Sequence, residues 1–140
     1  MNDILVKLFR DIMDIEEKAI ITEEFKDITN NDMHIIEVIG IEEPKNMSTV
    51  AKALSVTVGT LTIAINSLVK KGYVERKRSD FDRRVVLIAL TEKGRKAFHH
   101  HKQFHEKMIR ATLEGLKEEE IEVLVKSLTN LEAFFRSYGK

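Results

Sequence analysis

Apolar residues recur along the chain with two different periods, which divide it into helices and one short hairpin. Between Ile4 and Ile21 the apolar side chains return every three to four positions, and this spacing predicts one helix with an apolar stripe. A polar cluster that begins at Thr29 is typical of a helix N-cap, and Gly40 ends the apolar run that follows it. The pattern therefore predicts a second helix between these two positions.

Two short helices joined by a tight turn are predicted next. Ser48 lies near the start of the first of them, and residues 55–57 form the turn. Thr57 can cap the following helix, which we predict over Val58–Lys71, with Gly72 as the glycine that ends it. Ala51 is small enough to let the two helices cross closely, as the helices of a helix-turn-helix do.

A β-hairpin with a charged tip follows this pair of helices. The outgoing strand is predicted over Tyr73–Arg78 and the β-branched, Leu-rich return strand over Val85–Leu90. Two more helices then complete the chain, Thr91–Gly115 and Lys117–Phe135. The predicted fold is mainly α with a small β-wing (α+β), and the arginines between the strands make the hairpin the wing of a winged helix-turn-helix. Such an arrangement binds duplex DNA.

Length and composition exclude several classes of protein. A chain of 140 residues without cysteine predicts one domain, 1–140, with no disulfide, Cys-based zinc site or thiol switch. No apolar run approaches the ~18 residues that span a bilayer, and residues 1–10 lack the pattern of a signal peptide, so we expect a cytoplasmic protein without membrane partners. The sequence lacks phosphate loops and nucleophile or metalloprotease motifs, so we expect neither an enzyme nor a cofactor.

The charges are distributed unevenly, although the chain is neutral overall. Residues 1–46 hold five basic and twelve acidic side chains, a net charge of −7. Residues 47–110 hold fourteen basic and five acidic side chains, a net charge of +9, and residues 111–140 carry −2. Because affinity for DNA phosphates depends on local lysines and arginines, the middle segment alone is suited to bind nucleic acid.

The fourth predicted helix would be the recognition helix in the major groove. Its apolar stripe turns Leu61, Ile65 and Leu68 inward, so the remaining positions of its first half face DNA. The candidate contacts are Thr57, Val58, Gly59, Thr60, Thr62, Ile63 and Asn66. Exposed Val and Ile side chains can pack on thymine methyl groups, which favours an AT-rich site. The alternative is that these positions are core or neutral surface, and we expect contact from Thr62 and Asn66 before Val58.

Five basic residues that follow are candidate phosphate binders. They are Lys70, Lys71, Arg76, Lys77 and Arg78. The alternative is a solvated charged face, which is the usual role of isolated lysines. We favour phosphate contact because these charges cluster beside the predicted DNA surface.

The segment from the hairpin tip into the fifth helix resembles the signature of the MarR family of transcriptional regulators. That signature reads roughly D-x-R-x-x-x-(apolar)-x-L-T-x-x-G. The positions that match it in register are Asp82, Arg84, Ile88, Leu90, Thr91 and Gly94. The resemblance implies that Asp82 pairs with Arg84 and that either Arg83 or Arg84 enters the minor groove. An AT-rich minor groove, being narrow and strongly negative, suits an inserted arginine.

The order of elements also resembles this family over essentially the whole chain. The resemblance implies a homodimer in which residues 1–28 and 91–140 form dimerisation helices and 31–90 the DNA-binding lobe. The apolar surplus of the sixth helix, which ends in Phe134 and Phe135, fits that arrangement. The alternative is that these helices pack only within one chain.

Within this family the chain is similar to the fatty-acid-biosynthesis repressors of Gram-positive bacteria, the FabT type. The similar stretches are 25–28, 33–34, 38–40, 56–62, 71–76, 82–86 and 128–131. The resemblance implies a repressor that binds an inverted repeat more tightly when acyl-acyl carrier protein is its corepressor. An acyl chain would need an apolar tunnel, and the candidates for its lining are Ile15, Met33, Ile36, Phe104, His105 and Met108. From periodicity alone these residues are better explained as core.

The long fifth helix is the candidate dock for the acidic carrier protein. Its basic candidates are Arg95, Lys96, Lys102 and Lys107. Two alternatives remain: a MarR-type regulator of a free phenolic or drug-like ligand, and a metal-dependent enzyme or sensor. The metal hypothesis uses His101 and His105, one helical turn apart, with a third ligand from His34 or a carboxylate. Such histidines are more commonly solvated or satisfied in the core, so we expect no metal.

Overall fold

The computed structural model describes residues 1–20 and 24–138, and across these ranges it contains the six predicted helices and a small sheet. The helices are α1 (Asn2–Ile20), α2 (Asn30–Ile39), α3 (Met47–Leu54), α4 (Val58–Lys70), α5 (Glu92–Leu113) and α6 (Glu118–Tyr138). The strands are β1 (Lys45–Asn46), β2 (Val74–Arg78) and β3 (Val86–Leu90). The predicted winged helix-turn-helix is thereby confirmed, while the predicted end of the first helix at Ile21 lies outside the described residues.

Local hydrogen bonds explain where α2 begins and ends. Thr29 Oγ1 accepts from the backbone N–H of Asp32, and Asp32 Oδ2 accepts from the N–H of Thr29, both at 3.1 Å. This reciprocal pair satisfies two donors that a helix start leaves free. Gly40 adopts φ +71° directly after the helix, a conformation that favours glycine. The predicted cap cluster and helix stop are both confirmed.

The sheet has the strand order β1-β3-β2, and both pairings are antiparallel. The hairpin of β2 and β3 was predicted, whereas β1 was not. This strand pairs Lys45 with Ile88 and Asn46 with Leu87. Lys45 also donates from Nζ to the carbonyl oxygens of Ile39 at 2.7 Å and Val38 at 3.0 Å. A cation at the carbonyl end of α2 complements the helix dipole and fastens β1 to that helix.

The chain divides into two compact units, Met1–Phe104 and His105–Lys140, with the division inside α5. The first unit holds a hydrophobic core in which Met33, Ile36, Ile65 and Tyr73 are almost completely buried. In the second unit α6 has no buried residue. No single helix of the described ranges is long and apolar enough to cross a membrane, although the bent pair α3–α4, at 106°, passes on length and composition.

Tyr73 joins the end of α4, the start of β2 and the start of α5. Its fully buried ring carries a hydroxyl that donates to Asp27 Oδ1 at 2.6 Å, and Lys93 Nζ lies 4.4 Å from the ring centroid. Thr91 donates from its N–H to the Tyr73 carbonyl at 3.0 Å and from its hydroxyl to the Gly72 carbonyl at 2.5 Å. The hydrogen bond from Tyr73 and the nearby charge of Lys93 together lower the pKa of Asp27, although burial opposes them. Burial and the same hydrogen bond raise the pKa of Tyr73. Asp27 is therefore an anion and Tyr73 a neutral donor at neutral pH.

Gly94 allows α5 to lie against this junction. A methyl group at this position would lie 2.1 Å from the carbonyl oxygen of Tyr73 and 3.2 Å from Cβ of Leu90. The first of these contacts is with backbone, so it could not be relieved by turning a side chain. The glycine is therefore required by close packing and not by its backbone angles.

We expect Gly94→Ala to lower the free energy of unfolding by ~1–3 kcal/mol, the range typical of an overpacked core. Gly59→Ala is the matched control, because Gly59 is also helical and its nearest neighbour to an added methyl is Thr57 Oγ1 at 3.9 Å. The control should be stabilised by up to ~1 kcal/mol, since alanine is the better helix former. Denaturant titrations at equal protein concentration measure both values, and equal stability of the two variants would contradict the packing explanation.

Candidate nucleic-acid interface

The recognition helix α4 starts at a side-chain cap and follows a sharp turn. Ser55 adopts the left-handed conformation, φ 57° and ψ 41°, and turns the chain out of α3. Thr57 Oγ1 then accepts from the N–H of Thr60 at 3.1 Å, as the sequence predicted for the cap. Because Thr57 Oγ1 already accepts this capping hydrogen bond, the hydroxyl has less capacity left to contact DNA.

The two faces of α4 are separated as predicted. Leu61, Ile65 and Leu68 are buried and hold the helix on the core. The remaining candidate positions of its first half are exposed or half-buried, with Ile63 the most open apolar side chain at 74% exposure. Thr62 is half-buried and donates its hydroxyl to the Val58 carbonyl at 2.8 Å, so it retains only acceptor capacity toward a base.

Asn66 lies one turn beyond Thr62 on the exposed face and is tied to the wing. Arg76 of β2 donates from a terminal guanidinium nitrogen to Asn66 Oδ1. This hydrogen bond was not anticipated from the sequence, because residues 66 and 76 belong to different elements. It joins the helix that would enter the major groove to the strand that leads to the wing tip.

The wing tip is held by its own side chains. Arg84 donates from Nε and from a terminal nitrogen to the two carboxylate oxygens of Asp82, both at 3.1 Å. These hydrogen bonds lower the pKa of Asp82. Arg78 donates to the backbone carbonyl of Arg83 at 2.6 Å. The pairing of Asp82 with Arg84 implied by the family signature is therefore present.

An aromatic side chain also stands at the tip. Phe81 is fully exposed at 102%, beside Arg83 and Arg84, which are exposed too. Phe81 was not predicted as a site residue, although a phenylalanine between Asp80 and Asp82 is a signal that the sequence contains. Apolar side chains at such a tip can contact sugars or base steps of the minor groove.

The candidate phosphate binders differ in their surroundings. Lys70 is exposed, whereas Lys71 lies 3.7 Å from Asp32 Oδ2 and is about one-third exposed. Lys77 pairs with Glu75 at 3.3 Å on the surface. The described structure thus gives several of these cations an intramolecular partner, which a phosphate would have to compete with or join.

The candidates for the acyl tunnel and the carrier dock are spread over both units. Met33 and Ile36 are buried in the core of the first unit, Phe104 packs against that core, and Ile15 is 66% exposed. His105 and Met108 are half-buried in the second unit. The basic candidates on α5 are all exposed: Arg95, Lys96, Lys102 and Lys107.

Two histidines of the first unit approach one carboxylate. Glu37 Oε2 lies 3.7 Å from His34 Nδ1 and 3.7 Å from the buried His101 Nε2. His34 and His101 also pack edge to face, with ring centroids 6.5 Å apart. The absence of a bound metal stays a prediction.

Comparison with known proteins assigns a family to this geometry. A family model described as "Transcriptional regulator SarA/Rot" matches residues 17–101. The uncharacterized HTH-type transcriptional regulator YpoP of Bacillus subtilis is 32% identical over 76% of this chain and 71% of its own length.

Two solved structures with DNA resemble the fold. FabT of Streptococcus pneumoniae in complex with DNA is 44% identical, with a TM-score of 0.83, over 98% of this chain and 96% of its own. The MepR–DNA complex of S. aureus is 25% identical, with a TM-score of 0.67, over 91% and 94% of the two chains. The matched family model and YpoP are both described as transcriptional regulators, which confirms the prediction that the chain is a regulator and not an enzyme.

We expect the double variant Arg83→Ala/Arg84→Ala to weaken DNA binding while the fold stays intact. Fluorescence titration of an AT-rich palindrome should lose affinity and show a shallower dependence on salt, by up to about 2 in the logarithmic slope. Arg136→Ala is the matched control, since Arg136 is an exposed arginine of α6 that pairs with Glu132 at 3.3 Å. Equal affinities for the wing variant and wild type would remove the wing from the interface.

Proposed function

Because the chain belongs to the winged helix-turn-helix transcriptional regulators of the SarA/Rot and MarR type, we propose that it represses fatty-acid-biosynthesis genes. In this proposal it binds an AT-rich inverted repeat as a homodimer, with long-chain acyl-acyl carrier protein as corepressor. The observation that carries the proposal is the likeness to DNA-bound FabT over nearly the whole chain. A regulator of this kind works where the chromosome is, which is the cytoplasm of a bacterium.

Exposed apolar surface supports the homodimer. In α1 the side chains of Ile4, Leu8, Ile12 and Ile15 are each half-exposed or more. In α6 no residue is buried, and its exposed apolar residues are Val123, Val125, Leu128, Phe134, Phe135 and Tyr138. A monomer would leave two long apolar faces in water, which soluble monomers rarely do.

Charge supports the carrier protein as partner. Acyl carrier protein is strongly acidic, and exposed lysines and arginines lie along α5. Long-range attraction of this kind raises the association rate and weakens with salt. The alternative effector is a free phenolic or drug-like molecule, for which such charges would be unnecessary.

We expect a dimer mass at low micromolar concentration in sedimentation or light scattering. Phe134→Glu/Phe135→Glu should shift the equilibrium toward monomer, because two charges would enter an apolar interface. Lys126→Glu, on the same helix and also exposed, is the control. A folded wild-type monomer would contradict the proposal. The dimer should protect half-sites about one helical turn apart, ~10 bp centre to centre.

We expect long-chain acylated carrier protein to tighten DNA binding by about 5- to 150-fold, the range of typical allosteric coupling. Unacylated carrier protein should do little, because it supplies charge without the apolar chain. Lys102→Glu should diminish the enhancement and spare DNA binding without effector, whereas Lys126→Glu should leave the enhancement unchanged. The measurement is a DNA titration with and without saturating carrier protein. Superimposed curves would reject the lipid effector and favour the small-molecule alternative.

A further inference from the structure

The contact between Arg76 and Asn66 determines which way the asparagine amide points. Asn66 Oδ1 accepts from the Arg76 guanidinium. A guanidinium carries only donors, so the atom that faces it has to be the amide oxygen and cannot be the NH2 group. The NH2 of Asn66, with its two donors, is therefore turned away from β2. Asn66 is exposed, so these donors are directed to the surface of the recognition helix.

The geometry of β2 places the Arg76 side chain beside Asn66. Alternate residues of a strand share a face, so Arg76 lies on the same face as Val74, which is buried in the core. Glu75 and Lys77 lie on the other face and pair with each other at 3.3 Å. Arg76 is also paired in register with Ile88, a fully buried residue of β3. Its backbone is thus anchored, and its side chain reaches α4 from a fixed point.

We propose that Arg76 is a positioning residue that orients Asn66 for reading one base in the major groove. This inference rests on the DNA-binding function proposed above. With its oxygen engaged by Arg76, Asn66 presents N–H donors, which fit the acceptors of guanine (O6, N7) or thymine (O4). The bidentate reading of adenine by asparagine needs the amide oxygen as an acceptor, and here Arg76 already uses one of the two lone pairs of that oxygen.

The neighbour of Asn66 one turn earlier narrows the choice of base pair. Ile63 is 74% exposed on the same helix. Residues three apart on a helix lie on one face, so Ile63 and Asn66 approach the DNA together. An apolar side chain suits a thymine methyl group, while Asn66 donates to an acceptor on the same or the adjacent base pair. This pairing of an apolar and a donor contact predicts a thymine-containing step in each half-site.

If Arg76 binds phosphate, as the sequence predicted, its loss has a different effect on DNA binding. A phosphate contact holds the protein on any DNA, so its loss lowers affinity equally for all sequences. A positioning residue acts through Asn66, so its loss should erase preference at one base position and retain preference elsewhere. The two roles therefore differ in a readout that neither stability nor total affinity provides.

The test is selection from a random duplex pool, followed by affinities for every base at each half-site position. Wild type, Asn66→Ala, Arg76→Ala, the double variant and Lys77→Ala are compared as full-length protein. Asn66→Ala and Arg76→Ala should each reduce discrimination at the same position by about tenfold. The double variant should lose no more than either single variant, because the two residues act as one unit.

Lys77→Ala is the charge-matched control from the opposite face of β2. It should lower affinity uniformly and keep the base preference. If Arg76→Ala does the same, Arg76 is only a phosphate contact and the inference is overturned. If the wild-type protein enriches no sequence at all, the proposed function fails too. That outcome differs from a wild type with a base preference that Arg76→Ala retains, which overturns only the role of Arg76.

Asn66→Asp gives a second, independent outcome. A carboxylate would keep the contact with Arg76 as an ion pair, but it offers only acceptors to DNA. Preference at the affected position should move toward cytosine or adenine, whose N4 and N6 amino groups are donors, while overall affinity falls through repulsion from phosphates. A retained preference for guanine or thymine would contradict the orientation inferred for the amide. Thermal unfolding of each variant verifies that the fold is unchanged.

Discussion

The DNA-reading half of the molecule depends on the close approach of α5 to the backbone at Tyr73. Only a residue without a side chain fits at Gly94, because an added methyl would lie 2.1 Å from the Tyr73 carbonyl oxygen. Thr91 uses both its N–H and its hydroxyl to bind carbonyls of residues 72 and 73. The chain between α4 and β2 is therefore held against the chain between β3 and α5. The direction in which the wing leaves the recognition helix follows from this junction.

Charged side chains beyond the junction serve as tethers. Arg76 reaches Asn66, Arg78 reaches the carbonyl of Arg83, and Asp82 holds Arg84. Exposed contacts of this kind add little to stability, typically ~0–1 kcal/mol each. These contacts contribute mainly by orienting the side chains, because a side chain that is already oriented loses less conformational freedom when it binds DNA. A neutral chain can thus present a DNA-binding surface through a few locally arranged cations.

The rest of the chain supplies apolar faces that the described residues leave exposed. Within the first unit α1 shows a stripe of half-exposed side chains, and within the second α6 has no buried residue. Burial of such faces stabilises by roughly 25 cal/mol per Å² of apolar surface removed from water. The proposed second copy of the chain would cover both faces, and the symmetry of that dimer would match the proposed inverted repeat.

The sequence by itself determined the elements and their order. Caps such as Thr29 and Thr57 and stops such as Gly40 act through hydrogen bonds and dihedral preferences within a few residues, so a local pattern contains the information. The outward face of α4 and the pairing of Asp82 with Arg84 could also be read, from helical period and from a signature. Tertiary structure alone decided the two-residue strand β1, the contact of Tyr73 with Asp27 and the orientation of Asn66 by Arg76. Those contacts join residues from separate elements, and whether they meet depends on how the elements pack, which no local period encodes.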